Sequence, residues 1–473
     1  MIAKQKLTRK KRTDNPNPAV PDPAVRIWEY SPTMTRRSQH TVWLLLWCSL
    51  ATAGRGEDWP QWRGPSGDGI SRSRSVPLSW GENRELAWKC PLAAWGASTP
   101  VVWKDSVFLT SHGDDGALLL QHIGARSGQI LWTQRIGNDV APRGEELRGT
   151  PRFHRIHNLA TPSPVTNGEV VVAHYGNGDL AAYDFHGGQL WKRNLQTDFG
   201  PYTIWYGHSN SPVLYGDLVI SICLQDAMAD QQEKPTESYV VAHELMTGKM
   251  RWKTLRMTGA PAEEADAYTT PLLFTNGATT QLIVMGGNQL DAYDPRTGRQ
   301  LWFLKGLVGG RTITTPTISE GLLFATRGKR GELFAFPLPH APIPPAAMER
   351  EKREILWSDT QGTPDCCSAV ADSRLLFTVT DDGVARCYDL KTGKLKWKER
   401  VPGEYKASPV IVEGRVLFLN TSGLCTIVSA ASRFDKLAQN QLDDETLASP
   451  VIADEHIYLR GKKALYCLGQ RYR

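Results

Sequence analysis

The 473-residue chain has no apolar run long enough to cross a bilayer as a helix. The longest, residues 42–50 (VWLLLWCSL), falls well short of the roughly 20 residues a span requires. There is no CxxC zinc pair, no CxxCH haem attachment and no G-x-S-x-G nucleophile elbow, which leaves no motif for a zinc ribbon, a c-type haem or an α/β-hydrolase. Amphipathic helices of useful length are also missing. Net charge is nearly absent too. Nine Lys/Arg against three Asp/Glu in residues 1–53 account for the whole formal charge of +6, and the remainder is neutral. A neutral body offers nothing to nucleic acid. Seven cysteines follow Ala53, an odd number scattered over a large chain, so they do not form a disulfide scaffold.

What is present begins with an address. Arg36-Arg37, the apolar run and Ala51-Thr52-Ala53 read as the charged, hydrophobic and cleavage regions of a secretory signal over residues 34–53. Residues 1–33 are then a disordered extension or an over-extended start. Residues 54–84 lead into a domain spanning 85–473. The expectation is an exported protein of the periplasm or cell envelope, touching membrane only through the signal segment if it stays uncleaved.

The body is a repeat. AYDPRTGRQLW (292–302), AHELMTGKMRW (242–252) and CYDLKTGKLKW (387–397) share one plan of apolar run, tight turn and tryptophan. A second marker, Thr-Pro or Ser-Pro before an apolar run, occurs at Thr99, Thr161, Ser211, Thr270, Thr315, Ser408 and Ser449, with DCCSAV (365–370) as a proline-free eighth. Seven steps from Pro100 to Pro450 give a mean period of 50 residues. Each period holds four apolar runs of four to six residues between Gly, Asn, Asp and Pro, which is strand punctuation. Four short antiparallel strands per 40–50 residues indicate a propeller blade.

In the repeated turn Asp294 can accept turn amides, Thr297 can brace them and Gly298 takes the left-handed position. The tryptophans Trp88, Trp132, Trp191, Trp252, Trp302, Trp357 and Trp397 are expected on outer strands, docked on the next blade. The blade after Ser408 has none, and Phe434 or Leu437 is the expected substitute. The last unit supplies three strands, and residues 85–90 (ELAWKC) are the expected fourth. The fold is therefore an all-β, eight-bladed propeller of four-stranded antiparallel blades, its ring closed by pairing an N-terminal strand with the C-terminal blade.

The A-x-D-x-x-T-G-x-x-x-W unit, complete at 292–302, resembles the tryptophan-docking motif of the pyrroloquinoline-quinone-like β-propellers, and the likeness covers residues 58–470. DWPQWRGPSGDGIS (58–71) looks like the opening of exported bacterial members. The resemblance implies two activities. Some members are quinoprotein dehydrogenases that oxidise alcohols or sugars with pyrroloquinoline quinone and Ca²⁺. Others, such as the propeller of the outer-membrane assembly machinery, bind no cofactor and act as scaffolds. Some dehydrogenases also set a vicinal disulfide against the quinone, early in their propeller; here Cys366-Cys367, in the sixth blade, could close such a ring or stay as two reduced, separately packed cysteines.

Residues just before each Ser/Thr-Pro marker should ring one mouth of the channel: Trp95, His157, Asn158, His208, Asn210, Asp266, Tyr268, Arg311, Asp365, Tyr405, Lys406 and Glu445. Such a set is either a ligand funnel or ordinary turn residues. His154, His157 and His208 could form a three-histidine metal site or simply bond backbone in loops. Asp226 and Asp230 read as a solvated loop without a catalytic partner. The expected function is a non-catalytic binding or assembly scaffold for a protein or saccharide partner, with no cofactor and no metal. The alternative is a quinoprotein dehydrogenase.

Overall fold

The computed structural model describes residues 57–139, 156–229, 233–329, 331–340, 342–343 and 354–472. Residues 34–53, read above as a signal segment, His154 and Asp230 lie outside them. Eight sheets form eight blades, each with four antiparallel strands. Their innermost strands are Val101–Trp103, Val165–Thr166, Val213–Tyr215, Leu272–Asn276, Thr317–Ser319, Val370–Ala371, Val410–Val412 and Val451–Ala453, numbered as blades 1 to 8. The expected closure is present: Leu86–Pro91 pairs antiparallel with Ala464–Leu468 as the outer strand of blade 8.

The recurring hydroxyl explains the Ser/Thr-Pro marker. The backbone N–H of each marker residue donates to the side-chain oxygen of the next, Thr99 to Ser163 (2.9 Å), Ser163 to Ser211 (2.9 Å) and Ser211 to Thr270 (3.4 Å). The series continues from Thr270 to Thr315 (2.8 Å), Thr315 to Ser368 (2.9 Å), Ser368 to Ser408 (3.0 Å) and Ser408 to Ser449 (3.0 Å). Seven of the eight steps round the ring are thus bonded in one direction. The following proline begins an edge strand and brings no N–H that would need a partner there. In blade 2 the marker is Ser163-Pro164, two residues beyond the expected Thr161-Pro162, because a doubled Pro motif offers two registers and only Ser163 reaches both neighbours.

The outer ends are joined by tryptophan. Indole N–H groups of Trp88, Trp132, Trp191, Trp357 and Trp397 donate to turn carbonyls of the next blade, at Ala125, Phe185, Leu245, Leu390 and Ala431 (2.7–3.0 Å). The turn glycine lies flat on the ring: a Cβ on Gly248 (φ +67°) would sit 2.6 Å from Trp191. Trp302 faces blade 5, whose outer turn is replaced by a long interruption, and donates instead to Gln281 Oε1 within its own blade (2.7 Å). Blade 7 departs from expectation. By register Ala438 occupies the tryptophan position, opposite Ile427. Phe434 sits on the receiving side, edge-on to Trp397 at 5.2 Å, so neither it nor Leu437 is the substitute. Trp80 of the lead-in shares the buried cluster that Ala438 packs against, its backbone N–H held by Asn440.

Residues 57–71 cross the mouth at the far ends of the inner strands. Val102 N–H donates to Trp59, Thr166 N–H to Pro60 and Ile411 N–H to Gly69, and Asp454 N–H to Glu57. The buried Arg63 guanidinium donates to the carbonyls of Asp68 and Ala369, and Ile70–Ser71 runs parallel to Ile411 and Val412. The opening phrase is therefore a plug.

Ser408→Ala removes the acceptor of the buried Ser368 N–H. We expect a loss of about 1–3 kcal/mol, read as a lower urea midpoint, with Ser408→Thr close to wild type.

Candidate functional site

Between the hydroxyl ring and the open mouth lies a cavity of about 640 Å³. Ring residues from all eight blades reach it, and Trp62 of the plug lines it as well. Of the expected mouth residues, His157, Tyr268, Arg311, Asp365 and Lys406 line the cavity, together with Cys366.

The others do structural work. Asn158 donates to Trp95 O (3.2 Å) and accepts from Ala160 N–H, while Asn210 donates to Ala267 O and Thr269 O. Trp95 forms an isolated bridge with His112. Asp266 is fully buried and accepts the backbone N–H groups of Trp205 and Asp226. Asp226 is itself buried, in contrast to the solvated loop expected of it. Tyr405 is buried in the core of blades 6 and 7, its hydroxyl on Pro402 O. Glu445 pairs with Lys462 at the surface (2.7 Å). His208 is fully buried, stacked on Tyr202 at 5.0 Å, with Nε2 at 2.9 Å from Ile222 O. His157 instead lines the cavity, with Nδ1 2.6 Å from Thr161 Oγ1.

Much of the charge in the cavity is organised in pairs, while Lys329 and Glu404 line it outside any ion pair among the described residues. Arg311 Nη2 donates to Asp365 Oδ2 (3.0 Å) and Nη1 to Glu263 Oε1 (3.4 Å), with the guanidinium 5.5 Å from the Tyr206 ring centre. Lys406 Nζ donates to Asp381 Oδ2 (2.6 Å), and Asp381 Oδ1 accepts the backbone N–H groups of Asp365 and Cys366 (3.1 Å each). Burial works against the Asp381 charge, but Lys406 outweighs it and holds the carboxyl below its usual range. Burial raises Asp365, opposed by Arg311. Burial also drives the Cys366 thiol upward, with the Asp381 charge adding to it, so the group stays protonated. Cys366 and Cys367 are both free thiols, Cys367 in the apolar core of blade 6.

Asp381, Tyr206 and Trp62 were not reached by reading the residues before each marker. Asp381 lies in the Thr380-Asp381-Asp382-Gly383 turn between the second and third strands of blade 6. In an up-and-down blade that turn returns to the same mouth, so the repeat pattern carried a usable signal for it.

The family resemblance raises a quinone with Ca²⁺. Asp365, Cys366 and Asp381 are the one group of three potential ligand side chains drawn together among the described residues, their donor atoms within 4.8 Å of one another. Ca²⁺ takes six to eight oxygens. Here two carboxylates already hold Lys406 and Arg311, and the third ligand is a protonated thiol. The donor set does not fit that ion, and no step is derived through it.

Burial holds His208 and His122 at about 4, and His243 too with Arg193 adding to it; His174, also buried, lies well below 6.5. Unfolded, these rings take up protons near pH 6.5; folded, only near pH 4 or below. Their stabilisation is therefore complete above pH 6.5 and is lost as pH falls toward 4, at roughly 1.4 kcal/mol per pH unit for each proton. Denaturant midpoints across this range should fall with acidification, and His208→Gln should flatten the slope.

The family model described as outer membrane protein assembly factor BamB matches residues 78–234 and 346–436, more than half of the chain. No curated protein sequence matches it. Among solved structures, BamB from Moraxella catarrhalis superposes with a TM-score of 0.54 at 14% identity, covering 82% of this chain and 98% of its own. A europium-containing methanol dehydrogenase gives 0.61 at 12% identity, over 86% of this chain and 90% of its own. Quinohemoprotein alcohol dehydrogenase from Comamonas testosteroni gives 0.60 at 14% identity, over 88% and 81%. At such identities the structures show a shared fold alone. With the family match, the eight blades and their docking tryptophans, the chain belongs to the BamB-type family of pyrroloquinoline-quinone-like β-propellers.

Proposed function

We propose that this protein is a non-catalytic binding scaffold of the bacterial cell envelope, presenting its open mouth and the surrounding loops to a protein or saccharide partner. The observation that carries the reading is that, among the described residues, two of the three Lys/Arg side chains lining the cavity are committed to ion pairs, Arg311 with Asp365 and Glu263 and Lys406 with Asp381, which leaves Lys329 alone outside them. A quinone with three carboxylates needs uncommitted cations, and its metal needs a cage of oxygens. The loops around the mouth also expose Trp205, Met257 and Val308, apolar side chains suited to a macromolecular contact. The description of the matching family, an outer membrane protein assembly factor, supports the same role and place.

The test is titration of the protein from Gly54 onward with pyrroloquinoline quinone and Ca²⁺, following tryptophan fluorescence and dye-coupled oxidation of alcohols and aldoses. We expect neither saturable quenching nor turnover. Saturable quenching with turnover would replace the scaffold with the quinoprotein dehydrogenase.

A further inference from the structure

We infer that the plugged face carries a second binding site, a groove across blades 3 to 5 that takes an extended peptide of a partner protein by backbone pairing. The inference is independent of which partner the open mouth takes.

The argument starts from the blade repeat. Three residues after each ring hydroxyl, the innermost strand turns a backbone N–H toward the axis. In blades 1, 2 and 7 these residues are Val102, Thr166 and Ile411, and the plug meets them with the carbonyls of Trp59, Pro60 and Gly69, each at 2.9 Å. The equivalents in blades 6 and 8, Ala371 and Ile452, are buried, whereas those in blades 3, 4 and 5, Leu214, Leu273 and Ile318, are half-buried. Two-residue turns close their hairpins at Tyr215–Leu218, Asn276–Thr279 and Ser319–Leu322. The residues flanking such a turn form a hydrogen-bonded pair, and bonding then alternates. Leu214, Leu273 and Ile318 therefore point N–H and C=O away from their own sheets, and among the described residues no backbone carbonyl meets those three N–H groups.

The same three residues line a groove of about 560 Å³ beside the plug, together with Phe274 and Trp103. Leu214, Leu273, Phe274 and Ile318 are half-buried there. Blade 4 has the longest innermost strand of the ring, Leu272–Asn276, and so offers a second outward residue, Thr275. An unpaired row of backbone groups flanked by apolar side chains is a template for an added strand. The plug shows the device at work on this face, where Ile70–Ser71 already adds to blade 7. The groove continues that interface, which makes the occupant main chain, with carbonyls for three N–H groups and apolar side chains between them.

The probe is a labelled synthetic peptide of alternating valine and threonine, followed by fluorescence anisotropy against the protein from Gly54 onward. Leu273→Pro deletes one outward N–H while sparing the ladder to the second strand, and Ile318→Pro does the same in blade 5. We expect saturable binding, weakened roughly tenfold by either substitution in a protein with unchanged circular dichroism. It should be weakened similarly when alternate peptide nitrogens are methylated. Absence of binding, or binding indifferent to both substitutions and to methylation, would overturn the proposal. So would self-association in sedimentation that Leu273→Pro abolishes, because the groove would then hold a second copy of this chain.

Discussion

The ring of hydroxyl-to-amide hydrogen bonds is the constraint on which the other features depend. A propeller brings eight sheet edges to one axis, and each edge has backbone donors that water reaches poorly. Placing Ser or Thr before each inner strand gives one such donor an acceptor on the next blade. Because every bond joins neighbours, the ring fixes blade spacing and strand height together. The cavity above it and the plug below it inherit their positions from that register.

The tryptophans repeat the solution at the rim. Five of the indoles, those of Trp88, Trp132, Trp191, Trp357 and Trp397, satisfy their N–H on a turn carbonyl of the next blade, so there apolar burial and hydrogen bonding agree, whereas Trp252 packs on Gly298 with its N–H unbonded among the described residues. The other exceptions have visible causes. Blade 5 lacks a compact receiving turn, and Trp302 bonds within its blade. Blade 7 has Ala438 at the docking position, and the lead-in contributes Trp80 to the same cluster.

The two mouths are chemically unlike. One opens on hydroxyls, aromatic rings and charges of which Arg311, Asp365, Lys406 and Asp381 are bound in pairs. The other is crossed by a segment that reproduces strand pairing on some blades and leaves the edges of blades 3 to 5 facing a groove. On the proposed scaffold reading, the open mouth and the open edges are two separate faces.

Blade number, strand order within a blade, ring closure by residues 85–90 and the docking tryptophans were legible in the sequence because they rest on local chemistry: period-two apolar runs, turn glycines and a marker that returns every 50 residues. Local repetition also misled. Thr161-Pro162 and Ser163-Pro164 are equivalent as text, and only contact with Thr99 and Ser211 selects the second. The same limit governs the candidate site. His208, Asn210 and Asp266 precede inner strands as Arg311 and Lys406 do, yet they fold into the walls to satisfy buried carbonyls and amides. Asp381, Trp62 and the plug enter from other parts of the chain. The sequence by itself determined the blade and its count. The closed ring decided which side chains meet, because partners in different blades come together only when every step round the axis is complete.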